Sequence, residues 1–305
     1  MGHPLLIQKK KTEKPSTSLQ NVLADATTVL RDSGVDSPRL DAEVLLATIL
    51  DVSRSQLYTR LTEPVETGDL KRFRKLLARR ARRIPLQYIT GHVEFMSLDF
   101  LIKKGILVPR PETELLVEAV LERADTRQKL RIIDIGTGSG NIAVSIAAGL
   151  RDAADLLVYA SDISPKALKL ARLNARRHAV EDRISFHRGS LYDAFQRLGL
   201  EGQVDFLVSN PPYVPESEFE GLQPEVRDYE DPGALVAGAD GLQCYRAIAD
   251  SAHRWLRPGG WLIMELGEGQ AAPVKDLIYK NGHFRDMNTV KDLNHTERVI
   301  IARSS

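Results

Sequence analysis

From Ser18 to Arg83 the apolar positions recur at helical spacing. Leu19, Val22, Leu23, Ala26, Val29 and Leu30 share one face of a first helix, which Gly34 stops. Ser37-Pro38 offers an N-cap and first turn to a second helix with Leu40, Val44, Leu45 and Leu46 turned inward. A third helix after Pro64 buries Leu70, Phe73, Leu76, Leu77 and Ala81. Its other face carries Lys71, Arg72, Lys75, Arg79, Arg80, Arg82 and Arg83, and Pro85 ends it. Between Tyr88 and Val108 the alternation of Leu98, Phe100 and Ile102 predicts a short β-hairpin joining two domains. Beyond it the periods of 2 and 3.6 take turns. Strands are expected near 130–135, 156–161, 184–187, 204–209, 261–265, 284–288 and 297–302, and helices near 141–150, 165–178, 242–256 and 269–280. That alternation predicts an α/β fold with a mostly parallel sheet covered on both faces.

These patterns divide the chain into a disordered tail over 1–16, a small helical N-terminal domain over 17–86, a linking hairpin over 87–108 and a larger α/β domain over 109–305. Composition changes this picture only through charge. The formal net charge of the 305 residues is +1. Through residue 90, 16 Lys and Arg face 10 Asp and Glu; the remainder carries 26 against 31. A basic module thus precedes a mildly acidic one, and the basic helix face is either solvated or a docking site for an acidic partner or an RNA backbone. The single cysteine, Cys244, excludes an intrachain disulfide and a cysteine-cluster metal site. No apolar stretch is long enough to span a bilayer, and no signal-peptide core follows Lys9-Lys10-Lys11, so a cytoplasmic protein without membrane contact is expected.

Two stretches carry chemistry. In Leu130–Ala143 a strand runs into Gly136-Thr137-Gly138-Ser139-Gly140 and then a helix start. Glycines there let the backbone turn tightly and approach a ligand, although the spacing is not that of dinucleotide folds. Asp162 ends the next strand about 20 residues on, where an acid can accept both ribose hydroxyls of an adenosine. Leu191 at a third strand end can pack on the adenine. With no phosphate-binding Lys in the loop, these features favour S-adenosyl-L-methionine over ATP.

The second stretch is Asn210-Pro211-Pro212-Tyr213, which ends the apolar run Val204–Ser209. Proline stops the strand and stiffens the loop, leaving one side-chain amide, carbonyls and an aromatic ring together. Such a group can accept both hydrogens of a planar –NH2 while the ring covers its face. Alone, each stretch also serves as an ordinary turn. Upstream, Val108-Pro109-Arg110-Pro111-Glu112-Thr113-Glu114 is a stiff entry to a helix, with Arg110 held where it can be aimed at something.

Taken together, these motifs resemble a class I S-adenosylmethionine-dependent methyltransferase, Rossmann-like, with a small helical N-terminal domain. More narrowly they resemble the HemK/PrmC family, the peptide chain release factor glutamine N5-methyltransferases. The resemblance rests on Val108–Glu114, Asp134–Gly140 and Asn210–Tyr213, with Pro224–Glu230, Ala234-Leu235 and Asp240-Gly241-Leu242 in support. It implies an enzyme that methylates the GGQ-type glutamine of a release factor and leaves S-adenosyl-L-homocysteine, without a metal and with no stable nucleic-acid binding, as a monomer. It implies cofactor contacts from Gly136, Thr137, Gly138, Ser139, Gly140, Asp162, Leu191 and Asn210. Asn210, Pro211, Pro212 and Tyr213 become the catalytic, substrate-holding group, with Arg110 and Glu112 as further substrate contacts. Ser190 stands where many relatives carry an acid, which implies altered adenine contacts. The same amine grip would also serve an N6-adenine DNA or RNA methyltransferase, or a glutamine methyltransferase of a ribosomal protein.

Overall fold

The computed structural model describes residues 18–305, so the tail expected over 1–16 lies outside the described residues. The chain forms two compact units, one through Thr90 and one over Gly91–Ser305.

The first unit contains helices α1 (Leu19–Asp32), α2 (Pro38–Leu50), α3 (Arg54–Thr59), α4 (Thr67–Ala81) and α5 (Leu86–Thr90). Ser18 caps α1 by accepting from the Asn21 N–H, and Leu19, Val22, Leu23, Ala26 and Leu30 are buried on its inner face as the spacing predicts. Val29, in contrast, is exposed. Helix α2 differs from expectation. Ser37 makes no side-chain cap, and Leu40 is exposed while Asp41 and Glu43 are buried. Both acids are paired: Asp41 accepts from Arg80 at 2.6 Å, and Glu43 accepts from Arg39, Arg54 and Tyr58 at 2.6, 2.9 and 2.5 Å. Those bonds hold the Glu43 carboxyl below its usual range against the opposing pull of burial. Arg80 therefore does not belong to the basic face of α4. It is buried against Asp41 and also donates to the Ile84 carbonyl. Arg83 likewise donates to the Gly34 carbonyl, and Arg79 to that of Tyr88.

Residues 86–90 form a helix rather than the start of a hairpin. The hairpin itself is β1 (His92–Phe95) with β2 (Leu98–Leu101). It belongs to the second unit, where Phe95 and Phe100 are buried in the main core. Asn174 then ties it down, accepting from the Leu101 N–H at 2.9 Å and donating to the Leu101 carbonyl at 3.2 Å.

Next come α6 (Glu114–Leu121), β3 (Lys129–Ile135), α7 (Asn141–Gly149), β4 (Asp155–Asp162), α8 (Pro165–Arg177), β5 (Ile184–Arg188) and β6 (Val204–Ser209). They are followed by α9 (Pro224–Arg227), α10 (Gln243–Trp255), β7 (Leu256–Glu265), α11 (Ala271–Asn281), β8 (Phe284–Lys291) and β9 (Glu297–Ser304). The seven strands are ordered β5-β4-β3-β6-β7-β9-β8. All pairs from β5 to β7 are parallel, and β9 and β8 close one edge antiparallel. The period of two along β3 puts Leu130 and Ile132 in the core on one face and Ile133 and Ile135 in that on the other. Strand β7 begins earlier than the expected 261–265: Leu256 pairs with Val204 and Trp261 with Phe206, and residues 257–260 between them form a register break. At that break Asp205 points inward and is satisfied by the Arg131 N–H at 2.7 Å and by Arg257 at 2.5 Å. Among the described residues no helix is long and apolar enough to cross a membrane.

The chain moves outward from β3 to β4 and β5, then returns to lay β6 on the other side of β3. Open parallel sheets bind ligands at such a reversal, beyond the carboxyl ends of the strands. Ile135 is in register with Ser209 there, so the glycine loop and Asn210 emerge side by side.

Candidate active site

The loop after β3 is built by backbone conformation. Gly136, Gly138 and Gly140 have φ of +77°, +56° and +82°, a region that L side chains avoid. The N–H groups of Gly136 and Thr137 both donate to the Ser161 carbonyl, at 2.9 and 2.8 Å, which fastens the loop to the end of β4. Asn174 donates to the Ser139 carbonyl at 2.8 Å. Gly140 has a further constraint, since a Cβ there would lie 2.9 Å from the Ala171 Cβ and block the approach of α7 to α8. At Gly136, by contrast, a Cβ would meet no protein atom within 4 Å.

Asp162 lies at the end of β4, where its carboxylate accepts from the Gly138 N–H at 2.9 Å and the Ser164 N–H at 2.8 Å. Each oxygen keeps lone pairs for a ligand. Burial raises its carboxyl above the usual range. Asp134, fully buried beneath the loop, accepts from the Thr137 hydroxyl at 2.6 Å, while its Oδ1 has no partner. Burial, opposed by that hydrogen bond and reinforced by the charge of Asp162, pushes it up to about 7. Leu191 opens a single 3-10 turn in the left-handed region, φ +46°, directly after Ser190.

At the end of β6, Ser209 donates to the Ile135 carbonyl at 2.8 Å. The Asn210 Nδ2 donates to the Thr113 hydroxyl at 3.2 Å, and Thr113 donates to Glu265 Oε2 at 2.5 Å. The backbone of Tyr213 is fixed from two sides. Its N–H donates to the Leu235 carbonyl at 3.1 Å, and its carbonyl accepts from Gln270 at 2.9 Å. No side chain is tolerated alongside: a Cβ on Gly241 would sit 2.4 Å from the Tyr213 carbonyl, and one on Gly267 3.0 Å from the Tyr213 ring. Burial pushes the Tyr213 hydroxyl up to about 12, so it stays protonated at neutral pH.

A cavity of about 490 Å³ joins the two loops. Gly136, Thr137, Gly138 and Ser139 line it with Asp162, Ser190 and Leu191; Asn210, Pro211 and Pro212 line the other side. Gly140, Tyr213, Arg110 and Glu112 are not among the lining residues. Arg110, expected to reach a substrate, instead donates to both oxygens of buried Glu230, at 2.8 and 2.9 Å, and ties the 108–113 loop to the segment before Asp231. Glu112 lies half-buried within electrostatic reach of Glu265 and Tyr213.

Residues 21–91 match the family model of the PrmC N-terminal domain, and residues 111–222 that of the methyltransferase small domain. The chain is 43% identical over 293 residues to the release factor glutamine methyltransferase of Geobacter sulfurreducens, spanning 96% of this chain and 99% of that one. The chain belongs to the release factor glutamine methyltransferases. The counterpart from Moorella thermoacetica is 42% identical over 285 residues, 93% of this chain and 98% of the other. Among solved structures, a methyltransferase from Pyrococcus furiosus is similar over 74% of this chain and 98% of its own, with 18% identity and a TM-score of 0.49.

Membership in a methyltransferase family implies use of S-adenosylmethionine, and the residues present here fit it. Gly136 and Gly138, which carry no Cβ, border the cavity, and the Asp162 carboxylate stands at the end of the adjoining strand. Neither Thr113 nor Glu265 is among the residues expected from the sequence to form the site, although Thr113 is hydrogen-bonded to Asn210 and Glu265 to Thr113. Thr113 lies inside the quoted 108–114 motif. Glu265 carried a signal too, as an acid ending the apolar run Leu262-Ile263-Met264 on the strand beside β6.

Proposed function

We propose that the protein transfers a methyl group from S-adenosyl-L-methionine to the side-chain amide nitrogen, N5, of the GGQ-type glutamine of a peptide chain release factor. In this reading Gly136 to Gly140, Asp162 and Leu191 hold the cofactor, whose product is S-adenosyl-L-homocysteine. Asn210, Pro211, Pro212 and Tyr213 hold the glutamine. The observation that carries the reading is that one cavity is lined by both loops, the glycine loop and the Asn-Pro-Pro segment. Bound S-adenosylmethionine supplies an electrophilic methyl group on a sulfonium.

An amide nitrogen is a weak nucleophile because its lone pair is delocalised into its carbonyl. The Asn210 Oδ1 and the Pro211 carbonyl each accept one of its N–H bonds, which fixes the rotation of the amide. Orientation of this kind supplies several kcal/mol of barrier reduction, about 7–11 at the upper limit. As positive charge develops on the nitrogen, its N–H groups become stronger donors, so the same acceptors hold the transition state more tightly than the ground state. The Tyr213 ring packs on the amide face. As the N–CH3 bond forms and the sulfonium S–CH3 bond breaks, the nitrogen becomes cationic and then loses one N–H proton to solvent, and no metal enters the scheme. Arg110, engaged by Glu230, supports the loop that carries Thr113, and Glu112 meets the substrate from the Tyr213 side.

The helical unit, net basic and carrying exposed Lys71, Arg74 and Lys75 on α4, docks the release factor. The protein acts as a cytoplasmic monomer without stable nucleic-acid binding.

The deciding experiment is methyl transfer from labelled S-adenosylmethionine to purified release factor, offered beside duplex and single-stranded DNA, with the product site mapped by mass spectrometry. Label on the release-factor glutamine is expected; label on adenine would overturn the reading. Asn210→Ala should lower turnover by about 100-fold or more while cofactor binding stays measurable.

A further inference from the structure

We propose that Thr113, anchored by Glu265, is a positioning residue that sets which end of the Asn210 amide faces the cavity. The proposal rests on the reading that Asn210 accepts an amide hydrogen of the substrate. The two ends of an asparagine amide have nearly the same shape, so packing does not choose between them. Hydrogen-bond polarity does. A threonine hydroxyl has one hydrogen, and here that hydrogen goes to Glu265 Oε2 at 2.5 Å. The oxygen then has only lone pairs to offer Asn210, and only the Nδ2 end can meet it, at 3.2 Å. Oδ1 is thereby left for the substrate –NH2. Reversed, Asn210 would present a donor to a donor, and the grip would suit a carbonyl oxygen instead of an amine.

The anchor depends on Glu265 being an acceptor. A carboxylate can only accept from Thr113. A protonated Glu265 could donate to the Thr113 oxygen, which would release the Thr113 hydrogen toward Asn210 and favour the reversed amide. Glu265 is buried at the end of β7, and burial, opposed by the Thr113 hydrogen bond, pushes its carboxyl up to about 7. The groups that act on it are Glu112 and Arg110 from the 108–113 loop, Arg298 from β9, and Tyr213 from the loop after β6. Tyr245 from α10 donates to its backbone carbonyl at 2.9 Å. Turnover should therefore rise with pH through about 7 as Glu265 ionises.

The test compares Thr113→Val, Thr113→Ser, Glu265→Gln and Asn210→Ala, measuring kcat with saturating release factor and S-adenosylmethionine, cofactor affinity, and the pH profile of kcat from 6 to 8.5. Thr113→Val keeps the shape and removes the hydroxyl. It should lower kcat by roughly 10- to 100-fold, the scale of a misaligned reacting group, with unchanged cofactor affinity. Thr113→Ser should restore most of the rate. Glu265→Gln should lower kcat and flatten the rise near pH 7. Wild-type kcat in Thr113→Val, equal losses in Val and Ser, or an unaltered pH profile in Glu265→Gln would each overturn the proposal. Should Thr113→Val fail to fold, the Ser and Gln variants decide. A fully active Asn210→Ala would instead remove the reading beneath it, whereas an inactive Asn210→Ala beside a normal Thr113→Val would remove only the role of Thr113.

Discussion

Asp134 holds a proton more firmly in the folded protein than an aspartate does in water, because it is buried under the glycine loop with one oxygen unpartnered. Its ordinary carboxyl value is about 3.8 and its folded value about 7. Between those values the folded chain binds more protons than the unfolded chain. Stability contributed here is fully present below about pH 4 and falls as pH rises through about 7, by up to roughly 4 kcal/mol. Glu265 acts with the same sign. Asp134→Asn should flatten the slope, since the amide is neutral throughout; urea unfolding between pH 5 and 8 without cofactor checks this. Tyr213→Ala should raise the substrate KM more than it changes cofactor affinity, which titration of each ligand separates. At this scale the sequence disclosed residue types better than directions. Asn210 could be singled out because proline neighbours make it special. That its Nδ2 faces Thr113 could not be read, since Thr113 and Glu265 lie 97 and 55 residues away and come near it only in the tertiary fold.

Among the elements, two glycines of one loop are held for different reasons. Gly140→Ala combines a left-handed φ of +82° with a clash against Ala171 in α8, so it should destabilise the fold by about 1–3 kcal/mol, read as a lower thermal midpoint. Gly136→Ala meets no protein atom, so beyond backbone strain of about 1–2 kcal/mol its loss should appear as weakened cofactor binding. In the helical unit, Arg80→Ala would remove the 2.6 Å ion pair to buried Asp41 and should cost about 3–5 kcal/mol. The seven strands of the large sheet were legible because their apolar runs were bounded by glycine, proline and polar turns. Helix α2 misled at Leu40, Asp41 and Glu43. Period-counting assigns acids to water, whereas here ion pairs with Arg80 and Arg54 from other helices, and with Arg39 one turn away in α2, hold them inside. Short α3 and α5 carried too few turns for a period to show.

For the molecule as a whole, charge is divided between a basic helical unit and a mildly acidic catalytic one. If the exposed basic residues of α4 receive the release factor, reversing Lys71, Arg74 and Lys75 to Glu should raise the apparent KM severalfold at low salt. The effect should shrink near 0.5 M salt as screening shortens the reach of the charges. Steady-state kinetics at two ionic strengths checks it, and Arg80 is left untouched because its role is in the core.

The return of β6 to the other side of β3 also sets the order in which neighbouring strands of the sheet are synthesised. β3, β4 and β5 emerge first and can form a βαβ nucleus from local sequence, together with the glycine loop. The partner strand β6 is made later, and β7, which carries the Glu265 that holds Thr113, leaves the tunnel still later, with β9 last to cover its flank. The nascent chain thus has the strands that frame its glycine loop before it has the strand that carries Asn210. A ribosome stalled before β7 should display a protease-resistant 129–188 segment and no methyl transfer, with activity appearing only after β9 is free to dock.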